Sequence, residues 1–143
     1  MGDDVLLNKC ESIEKCLKSI EKYYRSDASS LQDQMTQDAI VLNLERACQL
    51  SIDIAMYMIK ELKLGIPKES REAFEKISEQ NIIPKELSTS LKKMVSFRNI
   101  AVHEYKKLDL VIVQKILENE LETTFKNYVK CILKQLPLVS SPS

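Results

Sequence analysis

Apolar residues recur along this chain at the three-, four- and seven-residue intervals of helices packed in a bundle. Leu6, Ile13, Leu17, Ile20 and Tyr24 set the first such stripe and predict a helix over 3–24. The run SDASS at 26–30 interrupts it and offers Asp27 and Ser29 as N-caps for the next segment. That second segment spans 29–64 and is unusually broad in its apolar face. Ile40, Leu44, Ala47, Ser51, Ile54, Ala55, Met58 and Leu62 line one side, and Val41, Cys48, Ile52 and Ile59 widen it to roughly half the circumference. A stripe of this width predicts cover by several helices at once, or by a second subunit as well. The remaining arc (Asn43, Arg46, Gln49, Asp53 and Tyr57) reads either as a solvated face or as the wall of a polar groove.

LGIPKES at 64–70 ends the second helix, with Gly65 suited to a left-handed cap and Pro67 unable to continue the ladder. A short helix over 69–79 turns Ala73, Phe74 and Ile77 inward. NIIPKE at 81–86 punctuates again, with Pro84 in the first turn of a helix that carries Leu87, Leu91, Met94 and Val95 at bundle spacing. Asp109 caps a last helix striped by Leu110, Val113, Leu117, Leu121, Phe125, Tyr128 and Ile132, and Pro137 stops it. The expectation is an all-α, up-and-down bundle of four to five helices. Residues 1–136 form one domain, and 137–143 form a flexible tail.

Composition narrows the function classes. The 143 residues hold 21 basic and 21 acidic side chains, so the formal net charge is zero and any affinity for nucleic acid must come from a local patch. Cys10, Cys16, Cys48 and Cys131 lack the C-x-x-C spacing of a zinc site and read as buried thiols in a reducing compartment. A di-metal carboxylate bundle is disfavoured because no Glu-x-x-His occurs. No metal and no cofactor are expected. The acidic start MGDDVLLNKCE does not read as a signal peptide, and Leu6 stands where a myristoylation motif wants Ser or Thr. No segment has the length of a membrane span, so the expected location is the cytoplasm.

The chain's single histidine lies in RNIAVHEY at 98–105. On a regular helix Arg98 and His103 are about 140° apart, whereas Asn99 and His103 share a face and Arg98 and Tyr105 return to within about 20°. Arg98 and His103 can therefore meet at one phosphate only if the helix frays near His103 or a second chain contributes. Asn99 is placed to orient His103 by a side-chain hydrogen bond. An arginine and a histidine without a metal suit RNA cleavage by internal transesterification. The imidazole exchanges protons with the 2′-OH or the leaving 5′ oxygen, while the guanidinium stabilises the charge that builds on phosphate. Lys92, Lys93, Lys106 and Lys107 flank the stretch and offer weak docking for backbone phosphate.

RNIAVHEY also resembles the R-x4-6-H motif of the HEPN ribonucleases, with their polar residue directly after the arginine, and more narrowly the R-x4-H-x-Y form of the HepT-like toxins. The similarity covers roughly 3–135 and includes AIVLNLERACQLSIDIA (39–55), LGIPKESREAF (64–74) and LKKMVSFRNIAVHEY (91–105). The resemblance implies a HEPN fold, a homodimer whose two motifs face one cleft, and metal-independent ribonuclease activity used as a toxin. It further implies a cognate minimal nucleotidyltransferase (MNT, MntA-like) antitoxin that attaches AMP to the motif tyrosine. Carried over by position, Arg98 and His103 are the catalytic pair, Asn99 the supporting polar residue and Tyr105 the modified residue. The alternative from another class is a non-catalytic, nucleotide-binding subunit that partners such a transferase.

Overall fold

The computed structural model describes residues 2–25 and 28–138. Six α-helices follow one another: α1 (Gly2–Tyr24), α2 (Gln34–Glu61), α3 (Ser70–Glu79), α4 (Lys85–His103), α5 (Leu110–Glu120) and α6 (Asn127–Leu133). Short 3-10 turns lie at Ala28–Gln32 and Tyr105–Lys107. A π-helical segment, Leu121–Lys126, joins α5 to α6, so the last three pieces form one rod with a widened middle. The bundle is all-α, as the apolar spacing predicts.

The central post is α2. Its residues Ile40, Leu44, Ala47, Ile54, Ala55 and Met58 are fully buried, and it packs against α1, α3 and α4. Val41, Cys48, Ile52 and Ile59 are buried as well, all within one chain. The broad face thus needs no second subunit to cover it, which corrects one ground on which dimerisation is expected. Along the polar arc only Arg46 is exposed; Asn43 donates to the Ala39 carbonyl (2.9 Å) and Gln49 to Asp53 (2.9 Å) along the same helix, and Tyr57 packs partly buried against the core.

Caps explain where the helices start and stop, and several differ from the sequence expectation. Asp33 begins α2, its carboxylate accepting from the Thr36 N–H at 3.0 Å, so the helix starts later than Ser29; Asp27 lies outside the described residues. The left-handed residue after α2 is Lys63 (φ 56°), not Gly65. The Lys63 N–H meets the Lys60 carbonyl (3.3 Å) and the Leu64 N–H meets Ile59 (2.9 Å), which is the Schellman pairing. Asn81 (φ 60°) repeats that arrangement after α3. Gly65 has φ 96° and serves the following loop, whose Leu64 carbonyl accepts from Lys76 Nζ at 3.2 Å. Pro84 stands just before α4, as its N-cap, rather than inside the first turn. Asp109 caps α5 as expected, accepting from the Val111 N–H at 2.9 Å. Part of the expected tail is docked: the Leu138 N–H donates to Asp3 at 2.8 Å, while 139–143 lie outside the described residues.

The last rod is tied to the post by Tyr128, which is fully buried, donates its hydroxyl to the Ser51 carbonyl (2.9 Å) and meets Phe74 edge-on at 6.0 Å. This links α2, α3 and α6 at one point. Three of the four thiols, Cys10, Cys16 and Cys48, are buried, and burial is the main cause that raises each thiol's pKa (Cys10 to about 11), leaving little reactive thiolate. Among the described residues no helix is long and apolar enough to cross a membrane. Because Phe74 fills the junction of three helices, Phe74→Ala should lower unfolding free energy by about 3–5 kcal/mol in urea titration. Tyr128→Phe keeps the volume and loses one hydrogen bond, and should cost only about 1–2 kcal/mol.

Candidate active site

The motif occupies the C-terminal end of α4 and the turn beyond it. Leu91, Met94, Val95, Phe97 and Ala101 are buried and fasten this half of α4 to the bundle. The helix stays regular through His103, and its last bond runs from the Glu104 N–H to the Ile100 carbonyl at 2.8 Å. Glu104 then leaves helical geometry (φ −141°), and the Tyr105–Lys107 turn closes with bonds from Lys107 to Glu104 (2.8 Å) and from Leu108 to Tyr105 (3.0 Å). Partly buried Leu108 packs on the core, and Asp109 begins α5 directly. The chain thus turns away between His103 and α5.

Arg98 is half-buried. Its Nη1 donates to Asn99 Oδ1 at 3.1 Å, and its Nε is a buried donor without a hydrogen-bond partner. The guanidinium is near enough to Cys48 that its charge opposes the upward push burial gives that thiol, although burial prevails. The buried, orphaned Nε–H carries a cost of order 1–3 kcal/mol. Asn99 therefore braces Arg98, where helical spacing alone suggested that it orients His103. His103 itself is exposed at the helix end.

Tyr105 departs most from the helical projection. Since α4 stops two residues earlier, Tyr105 is not aligned with Arg98 along one helix face. The 3-10 turn instead carries it to the first turns of α2, where its hydroxyl donates to Asp38 Oδ1 at 2.5 Å and accepts from Gln37 Nε2 at 3.4 Å. Asp38 Oδ1 also accepts from Gln34 Nε2 at 2.8 Å. These residues line an open groove of about 740 Å³ together with Lys106 and Leu110. Burial first, then the hydrogen bond to Asp38 and its charge, push the Tyr105 phenol up to about 12, against a smaller opposing effect from Gln37. Asp38, Gln34 and Gln37 escape sequence reading because 67 positions separate Asp38 from its partner. The i,i+4 spacing of Gln34 and Asp38 is a local hint, but many surface pairs share it.

The flanking cations divide. Lys92 is bound to Glu75 of α3 at 2.7 Å and so faces that helix rather than the motif. Lys107 pairs loosely with Glu104 at 3.5 Å, while Lys93 and Lys106 are exposed. Exposed apolar side chains occur near the helix end, at Ile100 and Val102 on α4 and at Leu110, Val111 and Ile112 at the start of α5.

An all-α bundle that ends one helix in an arginine–histidine motif, with a tyrosine held just beyond it, defines a class of small helical ribonucleases. Residues 13–132 match the family described as Ribonuclease HepT-like, and the chain belongs to that family. It is 40% identical over 130 residues to the mRNA nuclease HepT of Shewanella oneidensis, covering 91% of this chain and 97% of that one. Among solved structures it is similar to the tri-AMPylated HEPN toxin of Shewanella oneidensis in complex with MNT antitoxin, at TM-score 0.86 and 41% identity over 92% of this chain and 98% of that one. A cytosolic protein, YutE of Bacillus subtilis, shares the fold at TM-score 0.71 and 17% identity, covering 93% of this chain and 94% of that one.

The held phenol gives a direct test. At about pH 10.5 an ordinary tyrosine is mostly ionised, but Tyr105 should remain protonated. The near-ultraviolet phenolate signal of wild type minus Tyr105→Phe should stay close to zero there and rise only towards pH 12. Removing the acceptor in Asp38→Ala should bring that rise to lower pH.

Proposed function

We propose that this protein is the toxin of a type VII toxin–antitoxin pair, a metal-independent endoribonuclease in the cytoplasm that a nucleotidyltransferase antitoxin silences by adding AMP to Tyr105. The observation that carries the reading is the pairing of a braced Arg98 with an exposed His103 at one helix end, in a member of the HepT-like ribonuclease family. His103 takes the proton of the RNA 2′-OH as that oxygen attacks the adjacent phosphorus, and an imidazole returns a proton to the departing 5′ oxygen. Arg98 stabilises the charge that develops on the non-bridging oxygens, its guanidinium already oriented by Asn99. The products are a 2′,3′-cyclic phosphate and a free 5′-OH, so DNA is inert.

A second copy of the chain completes this geometry. Because α4 is regular through His103, Arg98 and His103 of one chain point about 140° apart, and fraying does not bring them together. The exposed Ile100, Val102, Leu110, Val111 and Ile112 offer a two-fold contact that would set two helix ends face to face across one cleft. AMP on Tyr105 would introduce a phosphodiester beside that cleft, drawn towards Lys106. Its charge repels incoming RNA backbone.

Purified protein should cleave RNA in the presence of a chelator. Arg98→Ala and His103→Ala should each lose about 100-fold or more of that activity while keeping their helical content by circular dichroism. Unchanged cleavage by His103→Ala would leave the non-catalytic nucleotide-binding subunit as the better account. Tyr105→Phe should cleave RNA but escape the transferase, with no mass increase on incubation with the transferase and ATP. Light scattering should report twice the 16.4 kDa chain mass, and Val111→Asp should return the monomer with its cleavage largely lost.

A further inference from the structure

We propose that Asp38 is the base that receives the Tyr105 hydroxyl proton when the tyrosine is modified, with Gln34 and Gln37 setting the geometry of that transfer. This inference rests on the reading of Tyr105 as the AMP acceptor. A phenol with an ordinary pKa near 10 is a weak nucleophile until its proton is removed, and a group already bonded to that proton is the natural recipient. Asp38 is such a group, 2.5 Å from the hydroxyl oxygen. Gln34, four residues earlier on α2, donates to the same carboxylate oxygen at 2.8 Å and holds it in place. Gln37 approaches the phenol oxygen at 3.4 Å from its amide, engaging one lone pair and leaving the other for phosphorus.

The step balances without further reactants beyond the nucleoside triphosphate that the transferase carries. Tyr105 Oη attacks the α-phosphorus. The new oxygen–phosphorus bond forms as the bond from that phosphorus to the bridging oxygen breaks, and pyrophosphate leaves. The phenolic proton passes to Asp38 Oδ1 along the existing hydrogen bond. A carboxylate is far less basic than a phenolate, so this proton moves as the new bond forms rather than before it. In the unmodified protein the same pair keeps the tyrosine neutral and fixed on α2. After transfer the hydroxyl is gone, and once Asp38 has released its proton to solvent the phosphodiester and Asp38 carry like charges. The AMP group is therefore displaced towards Lys106, the other charged side chain lining the groove.

The test is AMP transfer to Asp38→Asn by the partner transferase, followed by intact mass and peptide mapping across a pH series. Asp38 is exposed, so the substitution should not disturb the fold, which circular dichroism would verify. The expected result is a transfer rate about 100-fold below wild type with an unchanged KM for the triphosphate. The residual rate should climb about tenfold per pH unit, since hydroxide must then take the proton, while the wild-type rate stays nearly flat. Asp38→Glu should recover part of the loss. If Asp38→Asn is modified at the wild-type rate, or slowed with the wild-type pH profile, the base belongs to the transferase and this assignment is wrong. If wild-type protein acquires no AMP at Tyr105, the reading of the tyrosine fails, and the role of Asp38 falls with it.

Discussion

The termination of α4 at His103 governs the rest of the site. Five buried residues, Leu91, Met94, Val95, Phe97 and Ala101, clamp the helix to the bundle almost to its end, so its last turn cannot wander. Arg98 is consequently held with its Nε buried against the core, and His103 is delivered to the surface at a fixed point. Everything beyond is a change of direction: the Glu104 backbone leaves the helix, a 3-10 turn follows, and Tyr105 meets α2 instead of continuing along α4.

This arrangement separates two chemistries that the primary structure places side by side. Arg98 and His103 belong to α4, while Tyr105 belongs to a groove built by the start of α2. On the proposed reading, cleavage and modification use different general bases, His103 for a ribose hydroxyl and Asp38 for a phenol. The difference suits the groups concerned. An imidazole can both take and return a proton in one reaction, whereas a carboxylate need only accept one. In the proposed function the two chemistries remain coupled by charge, because a phosphodiester on Tyr105 would lie near the same helix end.

The exposed apolar residues carry a related lesson about assembly. The breadth of the α2 face suggests a subunit contact when read along the chain, but α1, α3 and α4 already cover it. Exposed apolar side chains instead include Ile100, Val102 and the first turn of α5, residues that the stripe analysis leaves off the core faces or assigns, in Leu110, to the inside. A helical stripe shows that a face is apolar and cannot show which neighbour covers it.

Local sequence sufficed for what local physics controls. The three-to-four residue recurrence of apolar side chains set the helices, Asp109 set a cap, and RNIAVHEY carried both the proposed catalytic pair and the family it resembles. Other features needed contacts between distant segments. Lys63, rather than Gly65, closes α2, because the chain must turn there for Leu64 to reach the core. The π-helical segment at Leu121–Lys126 interrupts a stripe that reads as one continuous helix, and sits where Leu121, Thr124 and Phe125 are buried. Lys92 is taken by Glu75, and Asn99 by Arg98, although spacing alone allowed each a different partner. Most plainly, the Tyr105 hydroxyl finds Asp38 across 67 residues of chain. Periodicity reports only on a residue's own helix, and that hydrogen bond exists because packing brings the end of α4 beside the beginning of α2.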